Sequence, residues 1–483
     1  MIITDMIATA FARAPWILTF GTLAMVAAIV FTFAVPLVVA LRSDPRSHGT
    51  ARWARGRREL KQLLGGPGPV LGRRQGELLM YQGVSPLLTS APSRSGKGAG
   101  SIIPTLLLPD FKRSVIVIDP KGEAARSTWL ARQEIGPVYT FDPFGICPGV
   151  GDVARINPLH DLAGRVEDAM GLAEALCPDD EAGNSHFTST ARTLLRAILL
   201  FVAEQNEGRR NLPEVRRLVT GNSQQVADLL KDMSGHVLRA VCGPANSQLA
   251  RDPREGASVW STAGRATEWL DAPAVADALT ANDIDFAALK EGNDGPATVY
   301  LVVPPDKLAA FSALLRLVTT HVVGSHAKTP TPGRHGSTLL IVDEAAALGR
   351  LQALETAVAV MAGYGLQVWL IFQDFAQLRA VYRERGDCII ANCGVAQIFS
   401  VTDPETAKTT SDLLGSGTHE YTPEGGGKTK SRQRVARPLL TADEVLREGR
   451  IIIRPRGDYP TRATKVEWWR DRQFSARGIN ERA

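Results

Sequence analysis

The chain has 483 residues, with 55 Lys and Arg residues against 50 Asp and Glu residues and a net charge of +5. Hydrophobic residues make up 44% and charged residues 22%, which excludes a disordered chain, a collagen-like repeat and a protein that spans a membrane many times. So small a positive surplus does not by itself indicate a nucleic-acid-binding protein. The five cysteines contain no Cys-x-x-Cys pair, which argues against a disulfide framework or structural zinc and favours a reducing compartment.

A long uncharged segment lies near the N-terminus. Residues 16–41 contain no charged side chain, and a helix of that length exceeds the roughly 30 Å hydrocarbon core of a bilayer. We therefore predict a single-pass membrane anchor within residues 1–45. The basic residues that follow the span are Arg42, Arg46, Arg52, Arg55, Arg57, Arg58 and Lys61. Because basic residues stay on the cytoplasmic side, the short N-terminus is predicted to lie outside and the bulk of the chain in the cytoplasm.

Apolar runs that end in a polar or acidic residue predict buried parallel strands. In chain order the runs are 114–119, 138–142, 297–303, 337–342, 366–372 and 395–400. Helical spacers separate several of them, which predicts a doubly wound α/β sheet.

Strand signals are absent between about residues 162 and 290. Helical patterns replace them at 188–204, 223–233 and 273–279. We predict an all-α domain, residues 162–290, inserted into one α/β domain. The α/β domain combines residues 46–161 and 291–483.

A glycine-containing loop follows the apolar run at residues 86–89. Its sequence, Ala91-Pro-Ser-Arg-Ser-Gly-Lys-Gly98, approaches the P-loop pattern G-x-x-x-x-G-K-[ST], with Ala91 replacing the first Gly and Gly98 the hydroxyl residue. Small residues let backbone N–H groups approach a phosphate at a helix N-terminus, and Lys97 supplies a positive charge. The predicted phosphate-binding residues are Arg94, Ser95, Gly96, Lys97, Gly98 and Ala99. Water or an acid must replace the missing hydroxyl on Mg²⁺.

Two polar strand ends complete the predicted ATP site. Asp343 and Glu344 follow the apolar residues 339–342. Asp343 is predicted to hold Mg²⁺, partly through water, and Glu344 to polarise the attacking water. Gln373 follows the run 366–372 and is predicted to sense the γ-phosphate or orient that water. The alternatives are an acid that caps the next helix and a surface glutamine.

Two weaker patterns receive a structural interpretation. Gly425-Gly-Gly-Lys-Thr429 resembles a P-loop ending, but Thr422 stands where the first Gly belongs and no apolar strand precedes it. We predict that residues 415–434 form a mobile basic loop. A basic cluster in the helical stretch favours a solvated face over a DNA-binding lumen. Its members are Arg192, Arg196, Arg209, Arg210, Arg216 and Arg217.

Short motifs run in order from about residue 48 to 470. They are His48-Gly-Thr-Ala-Arg-Trp53, the loop 91–98, Asp119-Pro-Lys-Gly-Glu123, Phe141-Asp-Pro-Phe144, Ile156-Asn-Pro-Leu159, Val342-Asp-Glu-Ala345, Leu348-Gly-Arg-Leu351, Ala362-Gly-Tyr-Gly365 and Arg437-Pro-Leu-Leu-Thr-Ala-Asp-Glu444. This set resembles the type IV secretion coupling proteins of the TraG/TraD family.

The resemblance implies an α/β, RecA-like P-loop NTPase domain with an inserted all-α domain, to which the uncharged segment at 16–41 adds one predicted N-terminal transmembrane helix. It places the chain in the bacterial inner membrane. It implies a hexameric ring that uses ATP and Mg²⁺ to bring single-stranded DNA with its attached relaxase, or protein effectors, to the secretion channel. Lys97, Asp343, Glu344 and Gln373 match the family's nucleotide positions. Partners would be the relaxosome, inner-membrane components of the secretion system, and adaptor or effector proteins.

The sequence also departs from the family pattern. Family members commonly have two membrane helices, and some carry a long C-terminal extension, whereas this chain shows one span and ends soon after Trp468-Trp469. Recruitment is then expected to fall to the all-α domain or an adaptor. Ala362 stands where a ring ATPase would place a trans-acting arginine. The candidates for that role are Arg350, Arg383 and Arg385, each of which is alternatively a surface charge.

The predicted function is a coupling ATPase that drives transfer through a type IV secretion channel. One alternative is a membrane-anchored double-stranded DNA translocase of the chromosome-partitioning type. The other is a docking ring that binds nucleotide without hydrolysing it, against which Glu344 argues.

Overall fold

The computed structural model describes residues 48–179, 185–292, 295–421 and 433–480. The predicted membrane span at 16–41 and the glycine-rich residues 425–429 lie outside these ranges. Within them, no helix combines the length and the apolar character needed to cross a bilayer. The chain divides into a smaller unit, Met1–Arg52 with Asp412–Thr441, and a larger unit, Trp53–Ser411 with Ala442–Ala483.

Fourteen strands occur in the described residues. They are β1 (Val70–Arg74), β2 (Glu77–Met80), β3 (Leu87–Ser90), β4 (Val115–Ile118), β5 (Val138–Phe141), β6 (Asp152–Val153), β7 (Thr298–Leu301), β8 (Thr338–Val342), β9 (Leu366–Phe372), β10 (Val395–Ile398), β11 (Ser416–Tyr421), β12 (Gln433–Pro438), β13 (Ile451–Pro455) and β14 (Thr461–Ala463).

One large mixed sheet organises the larger unit. Its strand order is β14-β13-β10-β3-β9-β8-β4-β7-β5-β6. The neighbours from β10 to β6 are parallel, whereas β13 and β14 add an antiparallel edge. Every residue of β3, β4, β7, β8, β9 and β10 is buried, which explains why most of their residues are apolar. All six predicted strands are confirmed.

Helices fill the connections. They are α1 (Ile103–Leu107), α2 (Glu123–Gln133), α3 (Val166–Leu176), α4 (Ser185–Ala203), α5 (Leu212–Val219), α6 (Ser223–Ser234), α7 (Arg239–Leu249), α8 (Pro253–Ala266), α9 (Pro273–Asp277), α10 (Phe286–Glu291), α11 (Ser312–Ala327), α12 (Gln352–Val360), α13 (Phe375–Tyr382), α14 (Arg385–Asn392), α15 (Pro404–Leu414), α16 (Ala442–Leu446) and α17 (Arg472–Ser475). Short 3₁₀ turns occur at Arg57–Glu59, Glu207–Arg209, Glu268–Asp271, Ala345–Leu348 and Met361–Tyr364, and a π-helical turn at Gly98–Ile102.

The described part of the chain between β6 and β7 contains helices and turns and no strand. The three helical patterns predicted there correspond to α4, α6 and α9. Local sequence sets their ends: Asn222 accepts a hydrogen bond from the Gln225 amide at 3.0 Å while its own amide donates to the Gln225 side chain at 2.9 Å. This capping box begins α6. The domain boundaries at 162 and 290 stay a prediction.

The smaller unit contains an antiparallel hairpin. β11 pairs with β12 from Ser416 opposite Pro438 to Tyr421 opposite Gln433, and Glu420 pairs with Arg434 at 2.8 Å. The prediction of a mobile loop over 415–434 is therefore wrong at residues 416–421 and 433–434. The sequence does not indicate these two strands because they are mostly exposed and contain no apolar run. Pairing between the strands stabilises them, and burial contributes little.

Candidate nucleotide-binding site

Three neighbouring parallel strands bring the predicted site residues to one edge of the sheet. In the strand register, Ser90 at the end of β3 lies opposite Phe372 at the end of β9. Val342 at the end of β8 lies opposite Leu370 of β9. The carboxyl ends of parallel strands are where open α/β sheets place their ligands. The loop after β3, the acids after β8 and Gln373 after β9 therefore leave the sheet side by side.

The loop after β3 turns tightly into a helix. The Ala91 amide donates to the Phe372 carbonyl at 2.9 Å, and the Gly100 amide donates to the Gly96 carbonyl at 2.7 Å. Arg94 and Gly96 both have left-handed backbones, with φ of +62° and +89°, which is uncommon for a residue such as arginine. Of the predicted phosphate-binding residues, Arg94 is exposed, Ser95 is buried, and Gly96, Lys97, Gly98 and Ala99 are half-buried. The arrangement directs a helix N-terminus at the loop.

Lys97 contacts both acids that follow β8. Its Nζ lies 2.8 Å from Asp343 Oδ1 and 3.6 Å from Glu344 Oε2. Glu344 itself has a left-handed backbone with φ of +66°. A non-glycine residue in that region is strained, and such strain clusters at functional sites. The structure thus brings the predicted phosphate-binding lysine together with both predicted acids.

Gln373 completes a continuous polar network. Its side-chain Nε2 donates to Glu344 Oε1 at 2.9 Å. Its backbone amide donates to Gln377 Oε1 at 2.9 Å, which fixes the residue at the start of α13. The structure therefore joins Lys97, Asp343, Glu344 and Gln373 through direct contacts.

A third carboxylate lies at the same edge, at the end of β4. Asp119 is 4% exposed, and its Oδ2 accepts a hydrogen bond from the Ala125 amide at 2.9 Å. Burial raises the pKa of Asp119 to about 6, the hydrogen bond from Ala125 opposes that rise, and the charges of Asp343 and Glu123 add to it. The Asp119–Glu123 motif is thus more than a turn, because its aspartate caps α2 beside the acid pair.

A buried glutamine of the sheet connects to the first helical turn after the loop. Gln397 of β10 donates to the Leu71 carbonyl at 2.7 Å and to Ser101 Oγ at 2.9 Å. It accepts from Thr89 Oγ1 at 2.8 Å, and Trp369 Nε1 donates to the same hydroxyl at 2.8 Å. Because Ser101 lies in the first helical turn after the loop, this network fixes that turn to the sheet. The sequence does not predict this hydrogen-bond network, because a glutamine within an apolar strand has no local signature.

Comparison with known families decides the wider assignment. The model of the type IV secretory system conjugative DNA transfer family matches residues 50–483. The chain belongs to this family. The resemblance predicted from the sequence motifs is therefore confirmed.

Curated members of the family are distant relatives of the chain. It is 29% identical over 459 residues to a conjugal transfer protein TraG of Escherichia coli, covering 83% of this chain and 71% of that protein. It is 29% identical over 494 residues to the protein VirD4 of Rhizobium rhizogenes, covering 94% of this chain and 70% of that protein.

Solved structures share the fold. An unbound form of the bacterial conjugative coupling protein TrwBΔN70 has a TM-score of 0.68 at 17% identity, covering 86% of this chain and 93% of the other. The plasmid coupling protein TrwB in complex with ADP and Mg²⁺ has a TM-score of 0.64 at 17% identity, covering 88% and 96%. The α/β fold with its large mixed sheet is therefore shared with these structures.

Two of the three predicted trans-acting arginines contact a carboxylate that is not part of the polar network. Arg350 Nε donates to Glu355 Oε1 at 2.9 Å, and Arg385 Nε lies 3.9 Å from Glu355 Oε2. Arg383 ends α13 with φ of +51°. The structure thus gathers two of the three candidates around a single carboxylate instead of at Lys97.

Most arginines of the basic cluster have acceptors inside the helical segment. Arg192 pairs with Asp179, Arg209 and Arg217 with Glu214, and Arg216 with Asp271. Arg210 donates to the Gln205 carbonyl. These contacts favour a structural use of the cluster over contact with DNA.

Proposed function

We propose that this family member is an inner-membrane coupling ATPase. In this proposal it recruits relaxase-bound single-stranded DNA, protein effectors or both to a type IV secretion channel and drives their transfer by ATP hydrolysis. The observation that carries the ATPase part is the direct contact network of Lys97, Asp343, Glu344 and Gln373. A module that only binds nucleotide has no need of the second acid.

Each residue of the network has a distinct role in the proposal. Lys97 exchanges its carboxylate partners for the β- and γ-phosphates of ATP, while the loop amides contact the phosphates at the helix N-terminus. Glu344 then accepts a hydrogen bond from the attacking water and orients it. Gln373 holds Glu344 and is placed to respond to the terminal phosphate.

The residues present fit a magnesium ion. Asp343 offers the oxygen ligand that Mg²⁺ prefers. Its carboxylate already contacts one cation, the ammonium group of Lys97. When bound, Mg²⁺ would neutralise charge on the transferred phosphoryl group. Gly98 offers no hydroxyl, so Asp343 and water would supply the ligands from the protein side.

The remaining parts of the proposal come from the family. Residues 16–41 would anchor the chain in the membrane, and residues 46–161 and 291–483 would form the nucleotide-binding domain. The inserted all-α domain, 162–290, would face the cytoplasm and meet cargo. Six copies would form a ring around the substrate, which places each ATP beside a neighbouring copy.

ATP turnover by the full-length protein in mild detergent tests the central step. Lys97→Ala is expected to remove nucleotide binding, and Glu344→Gln to keep binding while turnover falls about 100-fold or more. Arg379→Ala is the control, because Arg379 pairs with Asp387 and Glu405 away from the network. Unchanged turnover in Glu344→Gln would show that the assignment is wrong.

The same protein separates the alternatives. A coupling ATPase is expected to be stimulated by single-stranded DNA or by cargo protein, and Lys97→Ala should abolish transfer between cells. Stimulation by double-stranded DNA alone would favour a chromosome-partitioning translocase. Nucleotide binding without any turnover, together with intact transfer in Glu344→Gln, would favour a docking ring.

A further inference from the structure

A groove lies on the larger unit between α3, α11 and the first turn of α12. Its cavity has a volume of about 490 Å³, which is within the range of pockets that bind ligands. None of the four residues of the polar network lines it. The groove is therefore separate from the candidate nucleotide site.

The two long walls of the groove are antiparallel helices. Arg316 Nε of α11 donates to the Ala175 carbonyl of α3 at 2.9 Å. One turn away along both helices, a Cβ on Gly171 would lie 3.3 Å from Cγ2 of Thr320. Because position 175 meets 316 and position 171 meets 320, the helices run in opposite directions and lie close together at the floor of the groove.

The groove spans about two turns of each helix and is mostly apolar. Its lining residues run from 167 to 175 along α3 and from 320 to 328 along α11 and its C-cap, which is about 12 Å in each case. Leu172 and Leu351 are buried in its walls, and Met170 at its rim is 51% exposed. An elongated apolar groove of this kind fits the apolar face of a helix.

A glycine inside α11 keeps the groove open. Gly324 lines the cavity, and a Cβ at this position would have no heavy atom of the described residues within 4 Å. Glycine inside a helix costs about 0.5–1 kcal/mol relative to alanine. Within the described part of the chain no clash requires this glycine, so its effect is to leave room in front of α11.

The rim of the groove is predominantly acidic. The charged residues that line it are Asp161, Glu167, Asp168, Glu174 and Lys328. Arg165 lies 3.8 Å from Asp168, whereas Glu167 is exposed and has no ion-pair partner within the described residues. Burial and the charge of Lys328 lower the pKa of His321 to about 4, so this lining histidine adds no positive charge near neutral pH. Charge complementarity therefore favours a cationic partner.

The third wall of the groove follows the proposed catalytic acid along the chain. Residues 351–353 line the cavity at the start of α12. They come shortly after the turn Ala345–Leu348, which Glu344 precedes directly, and α11 also packs against this turn. A partner held in the groove would therefore contact the segment that begins at Glu344.

We propose that the groove between α3, α11 and α12 binds a basic amphipathic helix of a partner protein. Apolar side chains of that helix would enter the groove in front of Gly324. Lysine or arginine side chains at its edges would pair with Glu167 and Asp168. The inference rests on the proposed function for the identity of the partner as a recruited protein, and it names the chemistry by which the partner is recognised.

Binding of two designed peptides to the full-length protein in mild detergent tests the inference. Each fluorescent peptide has about 15 residues, enough for an isolated helix. One face carries leucines and the other face carries either lysines or glutamates. Fluorescence anisotropy, corrected with a detergent blank, should show binding of the lysine peptide and not of the glutamate peptide. Equal binding of the two peptides, or binding of neither, would overturn the inference.

Variants of the groove locate the bound peptide. Gly324→Leu fills the groove without a clash at Cβ and should weaken binding of the lysine peptide by about tenfold or more. The control Gly243→Leu changes a glycine of α7 whose Cβ would also have no atom within 4 Å, and binding should stay unchanged. Glu167→Lys/Asp168→Lys should lose the lysine peptide and gain the glutamate peptide, a gain that misfolding cannot produce. Wild-type binding by Gly324→Leu would contradict the proposed site.

ATP turnover separates this inference from the proposed function. Glu344→Gln should lose turnover and bind the lysine peptide as the wild type does. If it loses turnover and the wild type does not distinguish the two peptides, the inference fails and the proposed ATPase stands. If it retains turnover while the wild type prefers the lysine peptide, the ATPase proposal fails and the groove remains a docking site. If Gly324→Leu changes the size of the assembly in light scattering and leaves peptide binding unchanged, the groove is a contact between copies and the inference fails.

Discussion

The backbone of Glu344 allows strain at the site to be measured. Glu344 has φ of +66° and ψ of +52°, the left-handed region that costs an L-residue roughly 1–2 kcal/mol and glycine almost nothing. Glu344→Ala and Glu344→Gly both remove the carboxylate and its contacts with Lys97 and Gln373. The difference in stability between these two variants therefore reports the backbone alone. We expect the glycine variant to be more stable by about 1 kcal/mol, the reverse of the order in a helix or strand.

Urea unfolding of the two variants, followed by tryptophan fluorescence, measures that difference as a shift in midpoint. Both variants should lack turnover, which separates the stability effect from the catalytic one. As a control, the same Ala and Gly changes at Glu405, near the start of α15, should give the usual order with alanine more stable. An alanine variant at position 344 as stable as the glycine variant would refute the left-handed backbone and the strain inferred from it.

Three further predictions concern single side chains. A Cβ on Gly98 would have no atom within 4 Å, so Gly98→Thr should fold normally. Its hydroxyl would add a ligand for Mg²⁺, and the Mg²⁺ concentration that gives half-maximal turnover should fall several-fold. Arg132 is fully buried and donates hydrogen bonds to Thr298 and two backbone carbonyls at 2.6–2.8 Å. Because Arg132→Met leaves these acceptors without a donor, it should lower the free energy of unfolding, measured by urea titration, by about 3 kcal/mol. Burial lowers the pKa of His326 to about 4, so the folded state favours the neutral imidazole. The contribution of His326 to the free energy of unfolding is therefore complete above the unfolded pKa near 6.5. It falls by about 3 kcal/mol as the pH drops toward 4. His326→Gln should flatten that pH dependence, and an unchanged slope would contradict it.

Much of the sheet could be predicted because its strands are buried on both faces. β4, β8 and β9 are largely apolar runs, and each ends directly before a polar residue. The position of Asp343, Glu344 and Gln373 directly after such runs places them at one edge as soon as the strands are parallel. The motif spacing alone therefore predicts that these residues lie close together.

Features that depend on pairing between distant segments could not be predicted. The edge strand β13 pairs antiparallel with β10, and β14 pairs antiparallel with β13; nothing local in their sequence specifies these partners. Gln397 and Arg132 are buried polar residues whose acceptors lie far away along the chain. Glu355 contacts Arg350, which precedes α12, and Arg385, the first residue of α14, and only the folded chain shows that they share one carboxylate.

The position of Lys97 links the binding of metal and nucleotide. With its Nζ 2.8 Å from Asp343, Lys97 occupies the side of the carboxylate from which a divalent cation would approach, and two cations cannot share that space without repulsion. Lys97 is released only when phosphate oxygens offer it a replacement, since a partly buried ammonium without a partner is costly. Mg²⁺ alone should therefore bind weakly, and ATP should bring the metal with it. In the proposed function, the lysine that would recognise phosphate thus also offsets part of the charge of Asp343 and Glu344 until substrate arrives.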